Sequence, residues 1–151
     1  MDVIKETIQE ILDKMTVSYE DIEISLDEFG NRVFLIKTNE AGLLIGSSGE
    51  CFNALTHLVK KIVSSKNEEY IKFSIDINNY QADHIKKLKE KALIFAHRAR
   101  SLKTEVVMEP CSSYERMIIH GLFTNMSDIE TESNGVEPTR CVVIRYRENT
   151  L

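Results

Sequence analysis

The sequence predicts an α+β chain of two successive modules, each made of helices packed on a small β-sheet. Three observations lead to that class. Apolar residues recur at helical spacing in some segments and alternate in others, so neither helix nor strand dominates. The charge balance changes along the chain: residues 1–78 hold 8 Lys/Arg against 14 Asp/Glu, and residues 79–151 hold 11 against 10. An acidic first module and a near-neutral second one follow. Finally, 151 residues with 42% hydrophobic content are enough for one ordinary domain or two small ones without disulfide or metal staples.

Val3, Ile4, Ile8, Ile11, Leu12 and Met15 fall on one helical face, which predicts an amphipathic helix over residues 2–15. Ile22, Ile24 and Leu26 alternate with polar residues, as do Val33 and Leu35 after the turn at Asp27–Asn31, which predicts a β-hairpin. A Gly-punctuated run from Gly42 to Gly49 holds a short helical turn. It leads into Phe52, Leu55, Leu58, Val59, Ile62 and Val63, a helix reaching about Ser64. Ile71, Phe73, Ile75 and Ile77 alternate again and predict a third strand. The first module, residues 1–78, thus reads helix, strand, strand, short helix, helix, strand.

In the second module, residues 79–151, a long helix from Gln81 to Leu102 is predicted, with a basic outer face. Thr104–Met108 reads as a short strand closed by Pro110. Ser112-Ser113-Tyr114-Glu115 has the spacing of a capping box and starts a helix ending near Asn125. Ile129–Ser133, the Asn134-Gly135 turn and Arg140–Tyr146 predict a closing strand pair.

Several function classes are excluded or disfavoured at this level. No apolar stretch approaches the roughly 20 residues of a membrane span. The first fifteen residues carry Asp2, Lys5, Glu6, Glu10, Asp13 and Lys14, so they do not form a secretory signal, and a cytoplasmic protein is expected. Cys51, Cys111 and Cys141 are an odd number without CxxC spacing, which suits neither a disulfide framework nor a zinc site. No cofactor motif and no recognisable nucleophile motif is present, and no enzyme activity is expected. A net charge of −5 argues against a generic polyanion binder.

Two constellations carry chemistry. Gly46-Ser47-Ser48-Gly49 sits between the short helical turn and the helix that follows. Glycines permit close backbone approach, and amides at a helix start seat a phosphate. Taken alone, GxxG is more often an ordinary tight turn. The second constellation is Arg116-Met117-Ile118-Ile119-His120, whose Arg and His lie one turn apart on a helix, with Met117, Ile118 and Leu122 able to pack beneath them. The pair could grip a phosphate, or it could be a surface arginine beside a partly buried histidine. His57, Lys60 and Lys61 read as surface residues, as do the carboxylate pairs Glu68-Glu69 and Glu130/Glu132.

Around GxxG, the preceding Ile45, the apolar helix after it and the element order resemble a type II KH domain, a nucleic-acid-binding fold whose loop clamps about four nucleotides. Met108-Glu109-Pro110, Tyr114-Glu115-Arg116, Ile118-Ile119-His120, Thr131-Glu132-Ser133, Glu137-Pro138, Arg140 and Val142-Val143-Ile144 resemble the domain named for an arginine, three residues and a histidine, written here R-three-H (RxxxH). KH followed by R-three-H is the architecture of the bacterial Jag family, also called SpoIIIJ-associated proteins, and the resemblance covers residues 3–147. It implies a cytoplasmic single-stranded RNA-binding protein, with single-stranded DNA the related alternative. It further implies a post-transcriptional role in cell-envelope or division control, and a small KH-domain protein or a second copy as partner.

By the same resemblance, Gly46, Ser47, Ser48 and Gly49 are the KH clamp, Arg116 and His120 the name-giving pair, and Arg140 a basic neighbour. Three departures stand out. The family's basic residues inside GxxG are here Ser47 and Ser48. Its Tyr-Arg-x-x-Arg opening to the long helix is Tyr80-Gln81-Ala82-Asp83-His84, and the second Arg of its Glu-Arg-Arg motif is Met117. With the helix beginning at Val3, the family's separate N-terminal domain is expected to be missing. Aspartates at Gly46 and Gly49 are expected to block a phosphate while sparing the fold. An adaptor that uses an acidic KH module for dimerisation, with little RNA binding, is the alternative reading.

Overall fold

The computed structural model describes residues 2–148, which form two compact units dividing between Ala82 and Asp83. The division falls inside the first turn of a helix rather than at the expected 78/79, for a reason found at Asp76 below. The element order is α1 (Val3–Lys14), β1 (Asp21–Leu26), β2 (Arg32–Lys37), α2 (Ala41–Ile45), α3 (Glu50–Lys66), β3 (Phe73–Ile77), α4 (Tyr80–Leu102), β4 (Glu105–Val107), α5 (Ser113–Phe123), β5 (Ile129–Asn134) and β6 (Cys141–Tyr146).

In the first unit the sheet order is β1-β2-β3. The β1/β2 hairpin is antiparallel, while β2 and β3 run parallel, the connection between them carrying α2 and α3. Asp2 caps α1, its Oδ1 accepting from the Ile4 and Lys5 amides at 3.0 and 3.4 Å. Ile4, Ile8, Ile11 and Leu12 of α1 and Phe52, Leu55, Val59 and Val63 of α3 supply the apolar faces that cover Ile22, Phe34, Ile36, Phe73, Ile75 and Ile77 of the sheet. Phe34 is fully buried, with the Phe73 ring edge-on at 5.9 Å. Truncating such a residue costs about 3–5 kcal/mol.

The third strand starts at Phe73, not at Ile71. Phe73 pairs with Arg32, the first residue of β2, so Ile71 has no partner on that strand and is left exposed. Buried Asp76 joins this strand to α4, its carboxylate accepting from the amides of Ile77 and Gln81 at 2.7 Å and of Ala82 at 3.0 Å. The first turn of α4 is thereby capped from β3, so Tyr80–Ala82 cluster with the first unit.

The second unit has an antiparallel sheet in the order β4-β6-β5. Ala92, Ala96 and Ala99 of α4, with Ile119 and Phe123 of α5, pack on Ile129, Val142 and Ile144. Small alanines allow the helix to approach the other elements closely. On α5, Ile118 and Ile119 are buried, while Met117, expected inside, is 43% exposed. Position 116 occupies the inward slot one turn before 119 and 120, which turns position 117 to solvent. The helix ends at Phe123, short of Asn125, because the Thr124 amide turns back to Gly121 O and the Met126 amide to Phe123 O. No helix among the described residues is long and apolar enough to cross a membrane.

Candidate nucleic-acid interface

The Gly46–Gly49 turn converts the end of α2 into the start of α3. Gly46 (φ 71°), Ser48 (φ 53°) and Gly49 (φ 77°) take left-handed backbone conformations, which bring the chain round into the 17-residue α3. Gly46, Ser47 and Ser48 are exposed, and Gly49 is buried. The N-cap of α3 is Gly49, which offers no side-chain oxygen to the first amides. The Glu50 amide turns back to Ser47 O, and the positive end of the helix behind it favours an anion, opposed locally by the Glu50 carboxylate in the first turn.

Close approach explains both glycines. A Cβ at Gly46 would stand 2.8 Å from Cys51 Cβ, and one at Gly49 would stand 2.9 Å from Tyr80 Oη. Aspartate at either position would therefore displace packed atoms in a strained backbone, so the expectation that such variants spare the fold is corrected. Charge belongs instead at Ser47 and Ser48. Tyr80, which also stacks edge-on against Phe52 at 5.7 Å, was not foreseen as part of this loop. It lies 31 positions beyond Gly49, and sequence spacing carries no signal of the contact.

On α5, the predicted capping box forms. Ser112 Oγ accepts from the Glu115 amide at 3.2 Å, and the Ser112 amide donates to Glu115 Oε2 at 2.7 Å. Arg116 follows, 7% exposed. Its Nη1 donates to Cys111 O at 2.6 Å, and its Nη2 donates to Ser113 Oγ at 3.1 Å and Glu137 Oε1 at 2.6 Å. The guanidinium is thus committed to three protein acceptors, a different setting from the exposed fork anticipated for a phosphate. The role of Glu137 as its counter-charge was not anticipated either; an acid before Pro138 in the β5–β6 connection was the only signal for it.

One turn on, His120 lies between two hydroxyls of β5: Nδ1 is 2.7 Å from Thr131 Oγ1, and Nε2 is 2.8 Å from Ser133 Oγ. Thr131 and Ser133 are two apart and face the same side of the strand. Burial pushes the His120 pKa below its ordinary value of 6.5, and the Arg116 charge pushes it further, so the ring is neutral at pH 7. A neutral imidazole donates from one nitrogen and accepts at the other. The hydroxyl that accepts from the ring keeps its own proton to donate, so the cluster always holds an O–H donor. Arg140, part-buried, donates from Nη1 to Gly135 O at 2.7 Å and closes the same turn that carries Glu137.

The structure therefore gathers Arg116, His120, Thr131, Ser133, Glu137 and Arg140 on α5, β5 and the β5–β6 turn, while Gly46–Gly49 belong to the other unit. Among the described residues, no three His, Cys, Asp or Glu side chains converge as metal ligands.

A helix-borne arginine and histidine, braced against a three-stranded sheet in this way, define an R-three-H domain, and residues 84–146 match that domain family. The chain is similar to RNA-binding proteins of the Jag family. It is 32% identical over 146 residues to the RNA-binding protein KhpB of Clostridium symbiosum, covering 95% of this chain and 65% of that protein. It is similar too to the RNA-binding proteins KhpB of Lactiplantibacillus plantarum (27% over 146 residues, 93% of this chain and 45% of that one) and Bacillus subtilis (30% over 114 residues, 74% and 55%). The chain thus spans roughly half to two-thirds of the length of these relatives.

Proposed function

We propose that this chain is a cytoplasmic, non-catalytic single-stranded RNA-binding protein, in which a type II KH module over about residues 1–78 and the R-three-H domain over 79–151 each contact the strand. A post-transcriptional role in cell-envelope or division control follows from the family resemblance. The observation that carries the reading is the Gly46–Gly49 turn, exposed from Gly46 to Ser48, which leaves the start of α3 without a side-chain cap. A phosphate seated there gains backbone amides and the positive helix end, contacts that need no lysine in the loop. In the R-three-H domain, the neutral His120 with Thr131 and Ser133 supplies a hydroxyl donor suited to a phosphate or ribose oxygen, and Arg140 supplies charge. Arg116 holds the scaffold under them. The relatives' designation as RNA-binding proteins supports the same reading.

Fluorescence anisotropy with a labelled single-stranded RNA, repeated over a salt series, tests this. Three or four phosphate contacts give a slope of log K against log salt of about −2 to −3, at about 0.7 per contact. Ser47→Asp with Ser48→Asp should weaken binding severalfold without altering the fold, and a DNA strand of the same sequence tests sugar preference. Absence of RNA binding at low salt would overturn the proposal.

The adaptor reading rests on one observation. β1 is an edge strand on which Ile24 and Leu26 are 47% and 69% exposed, an apolar strip able to pair with a second KH-type sheet, either a small KH-domain protein or another copy. Light scattering of the purified chain checks it. A monomer that recovers no KH partner yet binds RNA tightly would remove the adaptor component.

A further inference from the structure

The basic outer face of α4 has no part in the site above, and it stands out in an acidic chain. Between Tyr80 and Leu102 the helix carries six Lys/Arg against two Asp/Glu, while the whole chain is at −5. Positions 87, 91, 94 and 98 follow one another at helical spacing, so Lys87, Lys91, Ile94 and Arg98 form one stripe. Among the described residues no carboxylate pairs with Lys87 or Arg98, both exposed, and Lys91 pairs only with Glu109, whose side chain is 81% exposed and easily displaced. Ile94 stands 60% exposed within the stripe.

The cations are also organised. Phe95, half-buried on the core, has Lys91 Nζ at 5.7 Å and Arg98 Cζ at 5.3 Å from its ring centroid. One ring thus restrains two cations separated by nearly two helical turns, which lowers the side-chain entropy lost when an anion docks on them. At 1.5 Å rise per residue, Lys87 and Arg98 lie about 16 Å apart along the helix. A row of that length suits successive charges on a flexible polyanion better than a single small anion.

We propose that this α4 stripe is a second RNA contact of the R-three-H domain, a track in which Lys87, Lys91 and Arg98 neutralise backbone phosphates and Ile94 lies against a base or ribose. The inference rests on the RNA-binding reading and adds to it a surface outside the Arg116–His120 cluster. It accounts for phosphate binding by a domain whose name-giving arginine is already committed to protein acceptors. The contact is independent of sequence, because phosphates carry no base identity.

The test is anisotropy of the full chain with labelled oligouridine over a salt series, comparing wild type, Lys87→Ala with Arg98→Ala, and a control pair on α1, Lys5→Ala with Lys14→Ala. Both substituted proteins should show the wild-type circular dichroism melt. The α4 pair should flatten the salt slope by about 1.4, two contacts at about 0.7 each, and the α1 pair should leave it unchanged. Wild-type binding with an unaltered slope in the α4 pair overturns this proposal alone. No wild-type binding to oligouridine overturns it together with the RNA reading. If the α4 pair loses affinity for polyglutamate but keeps its RNA slope, the face belongs to an acidic protein partner and the proposal falls.

Discussion

Replacing Arg116 with Met keeps the aliphatic stem and deletes the guanidinium, and the structure sets the size of the effect. Three acceptors lose their donor. The Cys111 carbonyl and Ser113 Oγ lie beside a part-buried network, whereas the Glu137 side chain is 57% exposed and regains water. The Glu137 pair is therefore discounted towards the ~0–1 kcal/mol of a surface pair, and the two remaining bonds from a charged donor contribute about 1.5 kcal/mol or more each. A loss of about 2–4 kcal/mol is expected, against under about 1 kcal/mol for Arg140→Ala, which removes one bond to the Gly135 carbonyl. In a unit of this size each kcal/mol shifts Tm by about 4–8 °C. Urea titration of the full chain, followed by circular dichroism, measures both variants, and Arg116→Lys should recover only part because an ammonium cannot present the fork. If Arg116→Met unfolds within 0.5 kcal/mol of wild type, or about that, while RNA affinity collapses, the arginine is a ligand contact and the brace is refuted.

Gly49→Ala should destabilise the first unit through both the left-handed φ and the 2.9 Å approach to Tyr80 Oη, and adding Tyr80→Phe should return part of the loss, a coupling readable in a double-mutant cycle by denaturation. Because His120 has its pKa lowered by folding, the unfolded chain binds more protons as pH falls below 6.5, so stability is complete above that value and declines beneath it. His120→Gln should flatten this dependence below pH 6.5, and an unchanged profile by thermal melts would count against the buried neutral ring. Ser48→Lys should strengthen RNA binding and steepen its salt slope by about 0.7, whereas an unaltered slope would place the phosphate elsewhere.

The periodic segments were legible from sequence because their patterns report burial directly. Ile22–Leu26, Phe73–Ile77 and Phe52–Val63 alternate or repeat as the core requires, and Ser112–Glu115 announces its own cap. Strand and helix ends were less legible. Where β3 begins depends on which β2 residue is available to Phe73, and no local residue records that. At the candidate site Arg116 and His120 do lie one turn apart, yet spacing cannot tell an arginine facing solvent from one facing Cys111 O and Glu137. Tyr80 beneath Gly49 is a tertiary contact, visible only once Tyr80 is folded against the loop.

The carboxylate of Asp76 has a practical consequence for dissecting the chain. A fragment cut after Asn78, where composition suggests the seam, keeps the aspartate and discards the Gln81 and Ala82 amides that it serves, and it loses Tyr80 from behind Gly49 as well. Such a peptide would present a desolvated acid with one remaining donor and a loosened glycine turn, and its failure to bind would say nothing about the intact protein. Severing the chain past Ala82, with enough of the helix retained to hold its first turn, preserves those bonds. The informative truncation point is thus set by one side chain's hydrogen-bond partners and lies several residues downstream of the seam that composition marks.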